Sequence, residues 1–370
     1  MATAPIFVTQ DPLQDIADTV AFYESQTGLA LAPAAVERLI LNAISYRLSL
    51  IKAQVQDAAL QNLVDFAIAP ALDYLGIYVG VTRLAAAPAI AEIEFTLNVN
   101  VSGITVPQGT RIASIDGLAV FVLTADVFIA PTILTGTGTA ECDTNGQAAN
   151  GYAVGQVTQI QDPFPYIIGA TNTAITAGGA DTEGDPALRT RIKLAPSAFS
   201  VAGSRNAYRY HALTASELLV DCAVPETLGD GVVNLYPLMR DGSVTPSLIL
   251  TAVEDACTGE QVRPISDTVN AIAPTRTTFS IALVVTPYVG YSTVTMEAAI
   301  EAAITDWVES KRQTLGNDIV DTQIFAVAHN AVPGQAYDMS LTAWSDITIA
   351  PTAFAFLTSV SVTFNTAVVG

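Results

Sequence analysis

Positive charge is what this chain has least of. Its 370 residues hold 15 Lys and Arg against 35 Asp and Glu, a net charge of −20. Neutralising phosphates takes a basic surface, so this balance opposes groove binding to nucleic acid and docking on anionic membranes. Histidine is nearly absent as well. His211 and His329 stand alone, neither in an HExxH pair, and a lone histidine of this kind reads as a surface or capping residue. Cysteine is limited to Cys142, Cys222 and Cys257. An odd, widely spaced set without a CxxC pair fits a reducing compartment and buried thiols better than disulfides or zinc. There is no G-x-S-x-G elbow, and Gly136-Thr137-Gly138 is not followed by the Lys-Ser/Thr of a phosphate loop. Missing too is any run of about 20 apolar residues of the kind that spans a bilayer. The longest uncharged tail, 347–370, is broken by Pro351 and alternates as strands do. Met1 to Asp18 has no basic n-region and carries Asp11 and Asp15, unlike a secretory signal.

What is present is apolar surface. Hydrophobic residues make up 51% of the chain and its mean hydropathy is +0.43. With no spanning helix to absorb them, these residues point to a soluble subunit with large protein interfaces. A chain of this length exceeds what one core usually supports, so two or three domains are expected.

Residues 1–88 read as a helical segment. Pro33 suits a first helical turn and Pro70 marks the expected end. Between them Ile40, Ile44, Leu48, Ile51 and Val55 recur every three or four residues, an apolar stripe along one helix face. One reading is a domain core helix. The sharper one is a heptad-like helix that joins a bundle with other chains, favoured by the sparse charge on its other faces. Residues 89–180 are β territory with a single basic residue, Arg111. Pro107-Gln108-Gly109, Asp116-Gly117, Asn145-Gly146 and Asn150-Gly151 punctuate short apolar runs as turns, which predicts a β-sandwich or small barrel. From 181 to 370 helical and strand patterns alternate, predicting an α/β region of one or two ferredoxin-like sandwiches, 181–275 and 276–370. The fold class expected is therefore α+β multidomain.

At 178–193 the composition changes abruptly. Gly178 and Gly179 close the β block, and Asp185-Pro186 is a helix start. Asp181, Glu183 and Asp185 alternate like the first half of a calcium loop, but Pro186 occupies the place of its glycine and Ile192 that of its bidentate glutamate. Helix capping and a hinge-like joint fit better, so no metal and no cofactor is expected. Arg189, Arg191, Lys193, Arg205 and Arg209 carry a third of all positive charge. They either pair with the nearby acids or meet the acidic face of a neighbouring copy. On the second reading, charge reversal at Arg189 and Arg191 weakens assembly more than folding.

Four stretches, taken together, resemble the baseplate J-like family of contractile phage tails. Gly103 to Thr110, with Asp116-Gly117 and Phe121, is similar to its "G-x-x-(I/V)-P-x-G-T … DG … F-x-T" unit. Asn150-Gly151, Asn172 and Gly178 to Glu183, with Arg189 and Arg191, resemble its "N-G … N … G-G-x-D-x-E … R" segment. Val262-Arg263-Pro264 resembles its V-R-P turn, and Leu315-Gly316 with Val332-Pro333-Gly334 its close, although Gln335 stands where the family often has Val. The resemblance implies a non-enzymatic baseplate wedge subunit in the virion, assembled in the host bacterial cytoplasm. It implies a helical end that bundles with a second wedge protein, a β wing, and an α/β region through which copies form a homodimer within the inner ring. A sheath-initiator or lysozyme-like baseplate protein and the tail hub are further implied partners; nucleic acid and membrane insertion are not. Two other functions fit a β-rich tail protein: a carbohydrate-binding adhesin and a cell-wall-degrading enzyme.

Overall fold

The computed structural model describes residues 3–100, 102–199, 203–226, 231–259, 262–264 and 266–369. The outer limits of the expected domains, residues 1 and 370, lie outside the described residues. The chain divides into two compact units: 1–83 with 184–193, and 84–183 with 194–370.

The first unit is helical. Asp11 caps α1 (Pro12–Thr27), its carboxylate accepting from the Gln14 N–H at 3.0 Å, and Pro12 needs no N–H partner in the first turn. Gly28 ends the helix at φ 68°, where a side chain would be strained. Pro33 sits in the turn before α2 (Val36–Leu60) rather than inside it. The helix stops ten residues before Pro70, because Gln61 turns its side chain back to accept from the Ile68 N–H at 2.9 Å. Then come α3 (Ala71–Tyr78) and, after a long excursion, the first turns of α4 (Asp185–Ala198). Pro196 lies inside the last turn of α4 instead of ending it. Residues 184–193, beside the 180/181 limit expected from composition, thus belong to the compact unit of the N-terminal helices.

The second unit begins with a six-stranded antiparallel sheet in the order β7-β3-β4-β6-β1-β8. Its strands are β1 (Pro88–Leu97), β3 (Arg111–Ser114), β4 (Val120–Leu123), β6 (Thr135–Asn145), β7 (Val157–Ile160) and β8 (Ile167–Asn172). A two-stranded ribbon of β2 (Ile104–Val106) and β5 (Val127–Ile129) closes over it. The two edge strands approach each other. Asn172, fully buried, accepts from the N–H groups of Gln156 and Val157 at 3.0 and 2.9 Å and donates to the Ala153 and Ala174 carbonyls. The sheet is nearly closed into a barrel around Ile93, Phe95, Ile112, Phe121, Leu123 and Ile129. Gly136 and Gly138 on β6 have a packing role. A Cβ at either would collide with Ile129 or Val127, so their bareness lets β5 lie against β6.

Two α/β layers follow. In one, α5 (Arg205–Ala215) and α6 (Ser247–Thr258) cover a sheet ordered β11-β10-β9, made of β9 (Leu219–Ala223), β10 (Val232–Met239) and β11 (Thr268–Ala271). In the other, α7 (Thr293–Arg312) and α8 (Asp321–Ala331) cover β13-β12-β14, made of β12 (Thr275–Pro287), β13 (Ala336–Leu341) and β14 (Ala353–Phe364). Each sheet has three strands with one parallel pair, β10 with β11 and β12 with β14. A ferredoxin-like sandwich would be antiparallel throughout. The reason lies in the connections: α6 carries the chain from β10 back over its sheet to β11, and such a crossover pairs strands in parallel.

The three cysteines are buried free thiols. Burial pushes Cys257 up to about 12 and Cys222 further still. Both are thiols rather than thiolates at neutral pH, and none of the three is expected to react with Ellman's reagent in the folded protein. Release of colour before denaturant is added would contradict that burial.

Candidate interaction surface

The residues of the α2 stripe face outward. Ile40, Ile44, Leu48, Ile51 and Val55 are 54, 49, 49, 53 and 50% exposed, whereas Ser45 and Ser49 are 1 and 8% exposed. The amphipathicity of this helix is inverted. Its partner inside the unit, α1, is met by a polar seam: Lys52 pairs with Asp15, and Ser45 and Ser49 are small enough to let the two helices approach. Gln56 extends the seam by accepting from the Phe7 and Val8 N–H groups at 2.8 and 3.0 Å and donating to the Pro5 carbonyl at 2.8 Å. A water-exposed apolar face opposite a buried polar one is costly to leave open. Covering the half of each stripe side chain now in solvent is worth about 1 kcal/mol per residue. Ala43 and Arg47 share a groove with Ile40, Ile44 and Leu48, so Arg47 is the one charge within it. Val36, Leu39, Tyr46 and Leu50 widen the exposed apolar face.

The five basic residues singled out in the sequence divide between the two units, and each has partners within the chain. Arg189 donates from Nε and a terminal nitrogen to the Val64 and Ala67 carbonyls, both at 2.7 Å. Arg191, 4% exposed, donates to the Thr82 carbonyl at 3.2 Å. Lys193 pairs with Asp65. Arg205 pairs with Glu226 at 2.8 Å where both side chains are largely in solvent, and Arg209 pairs with the buried Asp221 at 2.8 Å. The three acids beside the basic cluster take main-chain and side-chain bonds of their own, and Arg189 also helps to hold Asp185 ionised. Asp181 accepts from the Gln147 N–H and side-chain amide at 3.2 and 2.8 Å, and Glu183 from the Leu84 N–H at 2.9 Å. Asp185 accepts from Arg83 at 2.7 Å and from the Ala69 N–H at 3.2 Å. Among the described residues no group of three His, Cys, Asp or Glu is placed to hold a metal ion.

Arg83 was not singled out by sequence reasoning. It grips Asp73 with two bonds of 2.8 and 3.1 Å and Asp185 with a third, drawing α3 and the start of α4 together. Its hydrogen bond to Asp185 is the main cause holding that carboxyl below the usual 3.8. The sign follows. A depressed folded pKa contributes stability that is fully present above 3.8 and is lost as pH falls through the lower folded value. The Ala69 amide, which also bonds to Asp185, is expected to lose hydrogen-exchange protection as pH falls below about 4, before the barrel core does. Simultaneous loss in both places would remove the case for a local acid-sensitive latch.

The motif residues behind the resemblance hold the fold. Gln108 donates its N–H to Asp126 at 2.7 Å, and Gly109 to the Leu123 carbonyl at 2.9 Å. Asn150 exchanges two hydrogen bonds with Gly179, at 2.6 and 2.8 Å. Arg263 donates to the Thr258 carbonyl at 3.1 Å, and the Leu315 N–H reaches Asp221 at 3.1 Å. The barrel matches the Baseplate J-like protein barrel domain over residues 92–179, and the first α/β layer matches the Baseplate J-like central domain over 200–273. Both matches are to domains of the baseplate J-like family.

Within that family, Baseplate protein J of Escherichia phage P2 is 29% identical over 161 residues, 43% of this chain and 53% of that protein. Phage-like element PBSX protein XkdT of Bacillus subtilis (strain 168) is 24% identical over 266 residues, 70% of this chain and 71% of the other. The uncharacterized protein YqbT of the same bacterium is 30% identical over 174 residues, 47% of this chain and 41% of that one. The matched region spans about half the length of the P2 protein and less of YqbT. Among solved structures, a chain of the anti-feeding prophage baseplate is similar at a TM-score of 0.39 and 11% identity, covering 93% of this chain and 90% of that one. Among the described residues, no helix is long and apolar enough to cross a membrane.

Proposed function

We propose that this chain is a structural subunit of a contractile-tail baseplate, a wedge protein that joins its neighbours into the inner ring and has no catalytic role. The observation that carries the reading is the inverted helix α2, whose apolar stripe has no cover within its own unit. The occupant that fits is an amphipathic helix of a second baseplate wedge protein, because a stripe with helical spacing packs best against another of the same spacing. The two domain matches support the setting, and the P2 relative is named a baseplate protein. On this reading residues 1–88 anchor each copy in a wedge, 89–180 form a wing, and the α/β region 181–370 carries contacts between two copies. A sheath-initiator or lysozyme-like baseplate protein and the hub lie further along the same assembly. Rearrangement of these contacts on host attachment would then help release sheath contraction in the virion.

The test is co-expression of the full chain with the other baseplate proteins encoded beside it, followed by affinity purification and negative-stain imaging. Co-purification with a second helical subunit, in ring or wedge particles, is the expected result. A chain that purifies alone and monomeric from cells holding every neighbour would overturn the proposal.

A further inference from the structure

A second surface, independent of the α2 stripe, lies in the other compact unit. A cleft of about 400 Å³ is lined by Arg205, Asn206 and Arg209 from α5, by Asp221 to Val224 of β9 and the residue after it, and by Thr314 to Gly316 with Pro351. In a chain of net charge −20, a cleft whose lining holds two arginines and one acid is an electrostatic exception.

The single acid is already neutralised. Asp221 is 5% exposed, and its carboxylate accepts from Arg209 at 2.8 Å, from the Cys222 N–H at 2.7 Å and from the Leu315 N–H at 3.1 Å. These bonds fix the Arg209 guanidinium in place while leaving its Nε–H, also buried, without an acceptor. Among the described residues Arg205 is tethered by Glu226, whose side chain is 88% exposed, so a competing carboxylate can take it at little cost. Asn206, exposed between the two arginines in sequence, adds an amide that both donates and accepts. β9 is the outer strand of its sheet, so one row of its main-chain groups points away from β10. A fixed guanidinium, a releasable one, an amide and an open strand edge are the parts that recognise an extended segment bearing carboxylates.

We propose that this cleft binds an acidic, extended peptide segment of a neighbouring protein, its carboxylates on Arg205 and Arg209. The cleft does not depend on the α2 stripe, so its failure would leave the assembly role untouched, and the reverse. Binding there must be local, because the chain as a whole repels an acidic partner. At physiological salt that repulsion is screened beyond about 8 Å, whereas contacts inside the cleft are screened less.

The probe is a fluorescein-labelled hexaglutamate peptide titrated into the full chain and followed by anisotropy, with hexaglutamine as the neutral control. Saturable binding of hexaglutamate alone, weakening as salt is raised, is expected. Arg205→Glu should weaken it at least tenfold with an unchanged melting temperature, since that side chain lies largely in solvent. Arg47→Glu changes the net charge equally but lies in the other unit, and it should leave affinity within twofold. No saturable binding, or an equal loss in both variants, would overturn the proposal. Arg209→Lys keeps the charge and loses the fork, and retention of full affinity in it would also count against carboxylates seated on that guanidinium.

Discussion

Replacing Ile44 and Leu48 together by Asp is expected to abolish co-purification with a neighbouring wedge protein while the chain stays folded. Both side chains are 49% exposed and lie outside the α1 seam, so folding draws little from them. Surface substitutions of this kind usually change stability by no more than about 0.5 kcal/mol. An assembled bundle is different. There each substitution removes about 1 kcal/mol of apolar burial or more and leaves a carboxylate with no partner in a dry interface. Together they should weaken association at least about 100-fold, close to 3 kcal/mol. A size-exclusion co-elution assay reads the loss, and a circular-dichroism melt checks that the fold is retained. The opposite face supplies the control. Ser45→Leu overfills a position that is 1% exposed and should cost about 1–3 kcal/mol of stability through the α1 contact. If Ile44→Asp with Leu48→Asp unfolds the chain, or leaves the complex intact, the stripe is not the interface.

The second large effect is expected at Arg189, and it falls on folding. The guanidinium satisfies two main-chain carbonyls, Val64 and Ala67, in the turn between α2 and α3. Hydrogen bonds from a charged donor are worth about 1.5–3 kcal/mol each when buried, and this side chain is only partly so. Arg189→Glu would turn two attractions into repulsions between a carboxylate and carbonyl oxygens. We expect a loss of about 3 kcal/mol in the first unit, seen as faster hydrogen exchange at 61–69 and a lower melting temperature. Arg205→Glu, in an exposed pair, should leave the same signals unchanged. From sequence alone, charge reversal at Arg189 and Arg191 was expected to act mainly on assembly. Their hydrogen bonds to main-chain carbonyls shift that expectation toward stability. Full stability in Arg189→Glu would restore it.

How much of this was legible in the chain can be judged from particular residues. The helix start at Asp185-Pro186 and the turns at Asp116-Gly117 and Pro107-Gln108-Gly109 follow from local backbone preferences, which depend on a few neighbours. The barrel strands follow from alternation with turn glycines between. The α2 stripe was legible because helical spacing repeats every three or four residues. The row opposite it is polar, Arg38, Asn42, Ser45, Ser49, Lys52 and Gln56, and only the sparseness of charge on these faces entered the expectation from sequence. Periodicity names two faces and is silent on which one is buried. That was decided by α1, whose Asp15 calls for Lys52 and whose backbone calls for small residues.

Pairings across long stretches of sequence were not legible. Arg83 meets Asp185 across 102 positions, and Arg189 meets Val64 across 125. Nothing local distinguishes these arginines from solvated ones, because an ion pair or a carbonyl clasp depends on where two distant backbones come to rest. The same holds for the strand count and direction of the α/β layers, which are set by how the segments between strands, α6 in one and α7 to β13 in the other, carry the chain back to its sheet.

The sequence by itself determined the scarcity of positive charge, the family motifs, the element types and the existence of an apolar helical stripe, since each rests on composition or short-range periodicity. Tertiary structure alone decided that the stripe on α2 faces solvent, that the basic residues at 189–193 clasp main-chain carbonyls and Asp65, and that Arg205 and Arg209 share a cleft with β9. Those facts depend on which surfaces are brought together and which are left uncovered, and only the packed chain sets that.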